Sequence, residues 1–225
     1  MYSLEFIKSR HSVRRYLDKA IPKEFVDILQ EEIRQCNLEG NINLQLVLND
    51  DNAFSGIRAN YGSIKGVKNY IVLVGKRCKD LDEKLGYYGE RIVLKAHELG
   101  LNTCWIGLSM LYKKTKGAYE VNKGETKRLI IAIGYGENQG HPRSSKIFDD
   151  VTNIAVKEIP DWFKNGVEYS LFAPTATNQQ KFVFELCKDG VRLKDGVGFY
   201  SKVDKGIVKY HFELGAGTEN FNWIK

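Results

Sequence analysis

Residues 10–16, Arg-His-Ser-Val-Arg-Arg-Tyr, place two cations and a hydroxyl group at alternate positions. In an extended backbone, successive side chains point to opposite faces, so Arg10, Ser12 and Arg14 would lie on one face. Two guanidinium groups around a hydroxyl suit a phosphate or another planar anion. The spacing therefore suits an anion site, but on spacing alone a solvated basic turn is the favoured interpretation, because arginine is common on protein surfaces.

The elements that would position these groups can be read from hydrophobic periodicity. Residues 69–75 and 128–135 are near-continuous apolar runs, which are typical of central strands covered on both faces. Apolar residues recur every three or four positions over residues 85–99, which predicts a long helix. A short strand over residues 103–106 would end at Gly107, where a planar ring could approach the backbone. The alternative for Gly107 is an ordinary turn at the end of a strand.

The region before the first apolar run predicts a helix, a strand and a loop in that order. Residues 23–36 carry apolar side chains at helical spacing after Pro22, and residues 42–48 alternate as a strand does. Residues 50–67 have no clean period and several glycines, which is typical of a loop. Such a loop could bring backbone N–H groups and the Lys65 side chain to a ligand, or it could be a simple connection.

Composition limits the possible classes of function. With 225 residues and 43% apolar content, the chain can bury a substantial core as one large domain or two small ones. The net charge of +6 comes from 34 basic residues interspersed with 28 acidic ones, which indicates a bias toward anionic small molecules rather than nucleic acid. The four cysteines are widely separated, so we expect reduced thiols. Without an apolar run of signal-peptide or membrane-span length, we expect a cytoplasmic protein with no membrane partner.

Three stretches, residues 1–22, 88–107 and 130–151, resemble in order the sequence blocks of the nitroreductase-like flavoproteins. The first contains the Arg-x-Ser-x-Arg signature, with Tyr16 one residue later than the usual aromatic residue. The second ends in Trp-Ile-Gly, which is the most specific part of the resemblance. This resemblance implies an α+β fold, in which a mixed β-sheet is flanked by helices, and a bound FMN.

The resemblance also implies roles for individual residues. Arg14 would lie at the N1/O2 edge of the flavin, where reduction builds negative charge, and it is the sole candidate for a catalytic role beside the flavin itself. Arg10 and Arg143 would bind the phosphate, and Lys146 would join them if the loop shifts, because Ser145 stands where the family has a second cation. The other expected cofactor contacts are Ser12, Asn60, Lys65, Ile106, Gly107, Pro174, Thr175, Ala176 and Asn178.

A family block is found in an unexpected place. The Ala-Pro-Ser-Ala-x-Asn-x-Gln motif normally follows the first long helix, yet here residues 173–180 carry it as Ala-Pro-Thr-Ala-Thr-Asn-Gln-Gln. The helix, loop and strand expected around it repeat the order of residues 23–48. Together with a short sequence similarity between residues 94–100 and 208–215, this order indicates two degenerate copies in one chain.

We expect residues 1–155 to form the first half and residues 156–225 a shortened second half, packed as one unit. The chain resembles the internally duplicated branch of the family, which implies a monomer that acts as a pseudo-dimer.

Three functions compete at this stage. The leading one is an FMN-dependent oxidoreductase that takes hydride from NADH or NADPH and reduces a nitroaromatic compound, a quinone or a similar small-molecule acceptor. The second is an FMN storage or sensing protein with little turnover. The third, a nucleic-acid-associated protein, is disfavoured because aromatic and basic residues do not interleave along one surface. The sequence also lacks the glycine-rich nucleotide loops and the Gly-x-Ser-x-Gly block of hydrolases.

Overall fold

The computed structural model describes residues 2–51, 64–107, 118–154 and 158–224, and in these ranges it contains five helices and eight strands. The helices are α1 (Leu4–Ser9), α2 (Lys23–Gly40), α3 (Leu81–Glu98), α4 (Asp161–Ser170) and α5 (Ser201–Ala216). The strands are β1 (Asn43–Val47), β2 (Tyr70–Lys76), β3 (Asn102–Ile106), β4 (Glu125–Gly134), β5 (Thr152–Asn153), β6 (Phe182–Cys187), β7 (Gly190–Asp195) and β8 (Trp223–Ile224).

The first sheet has the order β1-β2-β4-β3, and all its neighbouring strands are antiparallel. The apolar runs form its two central strands, as predicted. Ile71 and Leu73 of β2 pack into one group of buried side chains, whereas Val72 and Val74 pack into another. Because alternate residues point to opposite faces, both faces of β2 are covered, and this explains why its sequence is apolar throughout.

The second sheet has the order β5-β6-β7-β8, in which the β6-β7 hairpin is antiparallel and both outer strands pair in parallel. Helices flank both sheets, so the expected α+β fold with a mixed sheet is confirmed. One group of buried side chains includes Leu73 and Ile131 of the first sheet together with Phe184 of the second. The two sheets therefore share a hydrophobic core.

Helices α3 and α5 cross at very short range. A Cβ atom on Gly86 of α3 would lie 2.0 Å from the carbonyl oxygen of Val203, and one on Gly206 of α5 would lie 1.9 Å from that of Glu83. Each helix thus needs a glycine where the backbone of the other passes. This close crossing fixes α5 against α3 and sets the position of the first turn of α5.

The element order α2-β1-β2-α3-β3 is repeated as α4-β6-β7-α5-β8. The predicted helix, loop and strand around residues 173–180 are confirmed as α4, a connecting loop and β6. The halves differ in that β4 lies between β2 and β3, whereas β8 pairs directly with β7. Duplication of an ancestral unit stays a prediction.

Two further predictions concern the chain as a whole. None of the four cysteines is in a disulfide, as expected. Among the described residues, no helix has the length and hydropathy that crossing a membrane requires.

Candidate functional site

Two adjoining cavities lie between the 10–16 segment and the 173–180 block. Their volumes are about 590 Å³ and 520 Å³. The larger one is mainly apolar and is called here the ring cavity; the smaller one is called the cation cavity. Both are lined by Ser12, Arg14, Pro174, Thr175 and Thr177.

The 10–16 segment reaches the cavities because it runs beside β3. Ser12 forms a parallel bridge with Thr103, and the amide of Lys65 donates to the carbonyl oxygen of Arg14 at 2.9 Å. Val13, between the two polar residues, is 1% exposed. The alternation expected of extended backbone therefore buries Val13 in the core and leaves Ser12 and Arg14 along the cavity walls.

The ring cavity has a rigid aromatic wall. Trp105 lines it, and the indole N–H donates to Glu90 Oε2 at 2.8 Å. The other Glu90 oxygen lies 2.9 Å from His211 Nε2, and both of these residues are fully buried. At Gly107 a Cβ atom would lie 2.6 Å from the ring of Tyr200. A side chain at position 107 would thus require the end of the Tyr200 ring to shift.

The cation cavity concentrates positive charge. Arg10 is 7% exposed, and its Nε is the one buried side-chain nitrogen or oxygen in the described part of the chain that lacks a hydrogen-bond partner. Burial and the neighbouring Arg10, His141 and Arg143 lower the pKa of His11 below its ordinary value. A buried guanidinium group with an unused donor, among other cationic residues, is a site prepared for an anion such as a phosphate.

The 173–180 block forms the opposite wall and has an unusual backbone. Thr177, Asn178 and Gln180 have φ angles of 51°, 56° and 42°, a region that costs a non-glycine residue about 1–3 kcal/mol. Side-chain hydrogen bonds hold this conformation. Gln180 is 2% exposed, and its amide oxygen accepts from the backbone N–H of Lys146 at 2.9 Å. Strained backbone held in this way is typical of functional sites.

Arg143 joins the two walls. Its guanidinium group donates to Asn178 Oδ1 and, at 2.6 Å, to the carbonyl oxygen of Ala173. Asn178 Nδ2 in turn donates to the carbonyl oxygen of Ser144 at 2.9 Å. Burial, with a smaller contribution from Arg10, lowers the pKa of Arg143 to about 10, so this residue remains charged at pH 7. Arg143 therefore positions the block in addition to lining the cation cavity.

Asp204, in the first turn of α5, lines the ring cavity and is 8% exposed. Its carboxylate accepts the backbone N–H of Ala176 at 3.0 Å and the Gln179 side-chain N–H at 2.7 Å. Burial raises the pKa of Asp204 to about 6, although these hydrogen bonds and Arg143 act in the opposite direction. Asp204 is thus a weakly acidic group in a mainly apolar cavity.

The structure brings most of the expected site residues together. Arg14, Ser12 and Gly107 line the ring cavity, whereas Arg10 and Arg143 line the cation cavity. The block residues along one or both cavities are Pro174, Thr175, Ala176 and Asn178.

Other expected site residues lie elsewhere. Lys146 lines a separate surface cavity beside β6, and the neighbouring Ser145 hydroxyl donates to the carbonyl oxygen of Leu171. A phosphate role for Lys146, which requires the loop to shift, stays a prediction. Ile106 is fully buried on the face opposite Trp105, as strand alternation demands. Lys65 is exposed and joins the site through its backbone. Asn60 lies outside the described residues.

Sequence reasoning missed several groups in the cavity walls, above all Tyr200 and Asp204. A signal for Asp204 exists, because it interrupts the apolar face of α5 next to Val203 and near Ile207. A carboxylate on an otherwise apolar face is worth noting, since it is rarely buried without a reason.

A family model and several solved structures are similar to this chain, and their descriptions name the same family. A family model described as "Putative TM nitroreductase" matches residues 3–216. A structure from Thermotoga maritima, described as "a putative nitroreductase", is 21% identical, covers 94% of this chain and 82% of its own, and has a TM-score of 0.67. The comparison with curated proteins gave no match.

Two shorter structures have the same fold. One from Desulfovibrio desulfuricans, described as "a putative nitroreductase in complex with fmn", is 22% identical and has a TM-score of 0.54; it covers 70% of this chain and 96% of its own. An "FMN-dependent Nitroreductase" from Clostridium difficile is 22% identical and has a TM-score of 0.52. It covers 66% of this chain and 94% of its own. Because the family model spans nearly the whole chain, this protein belongs to the nitroreductase family that the model describes.

Proposed function

We propose that this chain is an FMN-dependent oxidoreductase that takes hydride from NADH or NADPH and reduces nitroaromatic, quinone or similar acceptors. The observation that carries the proposal is the junction of the two cavities at Ser12 and Arg14. FMN has a planar apolar ring at one end and a phosphate at the other. A mainly apolar cavity continuous with a cationic one fits both ends of such a molecule.

The residues fit FMN at each end. Arg10, with its unused buried Nε, would bind the phosphate together with Arg143. Ser12 lies between the cavities, where a hydroxyl group can hydrogen-bond the polar chain of the cofactor. The loop at Pro174 and Thr175 would cover one side of the ring. The structures described as FMN-bound and FMN-dependent, from Desulfovibrio desulfuricans and Clostridium difficile, support the same assignment.

When bound, FMN supplies the hydride-transfer chemistry that the described side chains of the cavity lack. The chain's own part is to bind, orient and stabilise charge. Arg14 lines both cavities, and its guanidinium group would stabilise the negative charge that builds on the flavin ring during reduction. The Trp105 wall, fixed through Glu90, would keep water from one side of the ring cavity.

We also propose that each site forms within one chain. The 10–16 segment belongs to residues 1–155, whereas the 173–180 block and Asp204 belong to residues 156–225, and both parts line the same cavities. One chain would then bind one FMN as a monomer that acts as a pseudo-dimer.

One contact favours a second candidate function, which is that of an FMN storage or sensing protein with little turnover. The Tyr200 ring lies against Gly107, on the wall along which a donor or acceptor would have to approach. If this ring stays in place when FMN is bound, access to the flavin is restricted.

Anaerobic addition of NADH or NADPH to the FMN-bound protein separates the two functions. We expect the flavin absorbance to bleach within seconds and to return when a quinone is added. A protein that holds FMN but is reduced no faster than free FMN would be a storage or sensing protein. A protein that binds no FMN would refute both functions.

A further inference from the structure

Asp204 is the one carboxylic acid among the described residues that line the ring cavity. The other ionisable side chains among the described residues of its lining belong to Arg14, Cys104 and Tyr200. Arginine does not release its proton in proteins, and a carboxyl group is a stronger acid than a thiol or a phenol. Burial also raises the pKa of the Cys104 thiol, which makes this group a still weaker acid. Asp204 is therefore the described group best able to release a proton into this cavity near neutral pH.

The surroundings of Asp204 suit a group that alternates between two protonation states. From the 173–180 block, the Ala176 amide and the Gln179 side chain donate to it, and from its own element its backbone N–H donates to the carbonyl oxygen of Tyr200. Arg143 is the charged residue that acts on it from the adjacent loop. The ion pairs of the described residues do not include Asp204. The charged form thus has hydrogen bonds but no salt bridge, so neither state is locked.

We propose that Asp204 is a catalytic residue that donates a proton to the acceptor oxygen in the ring cavity. This inference rests on the proposed oxidoreductase function, which it extends by a named acid.

The stoichiometry requires such a donor. A quinone becomes a hydroquinone by taking up two electrons and two protons, and hydride transfer provides both electrons with one of the protons. Asp204 provides the other proton. Its Oδ–H bond breaks, an O–H bond forms at the quinone oxygen, and the electron pair of the broken bond stays on Oδ. The Ala176 N–H and the Gln179 amide stabilise the resulting carboxylate, which takes a new proton from solvent.

The decisive variant is Asp204→Asn, assayed with two acceptors. Benzoquinone needs protons when it is reduced, whereas ferricyanide takes up single electrons and no proton. Since a general acid contributes about 10²–10⁴-fold, we expect quinone reduction by the variant to be about 100-fold slower. Its remaining rate should lose the decline that the wild type shows as pH rises through the pKa of Asp204. Ferricyanide reduction and bleaching by NADPH need no proton from Asp204, so we expect them to fall by a much smaller factor than quinone reduction does.

Gln179→Ala is the matched control, because it removes the Gln179 hydrogen bonds to Asp204 and to the carbonyl oxygen of Phe199 but keeps the carboxyl group. Quinone reduction should persist with a pH midpoint above that of the wild type, since the lost bond favoured the charged form. Carbon-13 NMR of the flavin-free proteins gives a readout independent of turnover. We expect an aspartate carboxyl signal with a midpoint near 6 in the wild type, a higher midpoint in Gln179→Ala, and no such signal in Asp204→Asn.

Two results would overturn the proposal while leaving the oxidoreductase function intact. Quinone reduction at the wild-type rate in Asp204→Asn would show that another group supplies the proton. Equal losses with quinone and ferricyanide would show that Asp204 only positions the Ala176 loop. Failure of the proposed function looks different, because the wild type would then bind no FMN or would not be bleached by NADPH, and the proposal would fail with it.

Discussion

Replacing Arg10 by alanine tests the phosphate site with two measurements that should move in different directions. Arg10 Nε is buried without a hydrogen-bond partner among the described residues, and an unsatisfied buried polar group costs about 1–3 kcal/mol. Arg10→Ala should therefore leave the free energy of unfolding of the flavin-free protein unchanged or higher. A hydrogen bond to a charged group contributes about 1.5–3 kcal/mol, so the same variant should bind FMN about 10- to 100-fold more weakly.

The assay combines fluorescence titration of FMN with urea unfolding of the flavin-free protein. Arg34→Ala is the matched control, because Arg34 is an exposed arginine on α2 that pairs with Glu31. We expect this control to bind FMN as the wild type does. Riboflavin, which lacks the phosphate, should bind equally well to the wild type and Arg10→Ala. Unchanged FMN affinity in Arg10→Ala, or equal losses for FMN and riboflavin, would refute the phosphate assignment.

Three further predictions follow from the site. Arg14→Ala and Asn178→Ala should show an interaction energy of about 0.5–3 kcal/mol in a double-mutant cycle of FMN affinity. Arg14→Ala should also lower the flavin's reduction potential, because a positive charge beside the ring is lost. Additive losses of FMN affinity together with an unchanged reduction potential would place Arg14 outside the site. Because the pKa of Asp204 is raised from 3.8 to about 6, the folded state holds its proton to higher pH, so the free energy of unfolding of the wild type should fall relative to Asp204→Asn by roughly 2.4 kcal/mol between pH 4 and pH 7. Equal pH profiles in urea unfolding would contradict this. Gly107→Ala should displace Tyr200, whose ring lies 2.6 Å from the added Cβ atom, and should change the Tyr200 ring signals in NMR; an unchanged spectrum would show that the ring is not held there.

The periodic parts of the fold could be predicted from the sequence. Strand β2 is apolar throughout because both its faces are covered, and Ser3 begins α1 because its hydroxyl oxygen accepts the Phe6 N–H at 3.2 Å. These features depend on neighbours close in sequence or on burial alone. The alternation within residues 10–16 likewise indicated that Arg10, Ser12 and Arg14 would lie together, although His11 and Arg15 also line the cation cavity.

The parts that could not be predicted depend on contacts between distant segments. Arg143 was expected to bind phosphate, and its hydrogen bonds to the 173–180 block follow from a loop that folds across 30 or more positions of sequence. Lys146 was a conditional candidate from the family resemblance, and the Gln180 contact to its backbone together with the Ser145 contact to Leu171 places it along a separate surface cavity. The raised pKa of Asp204 arises from burial beside Ala176, which no local pattern reveals.

The most direct test of the central claim, one flavin site within one chain, is the mass of the purified protein in solution measured together with its FMN content. We predict a monomer of 25.7 kDa that binds one FMN per chain. This stoichiometry should persist on dilution if, as we propose, the 10–16 segment and the 173–180 block of one chain hold the same FMN. A stable dimer that loses FMN when it dissociates would contradict the intramolecular site.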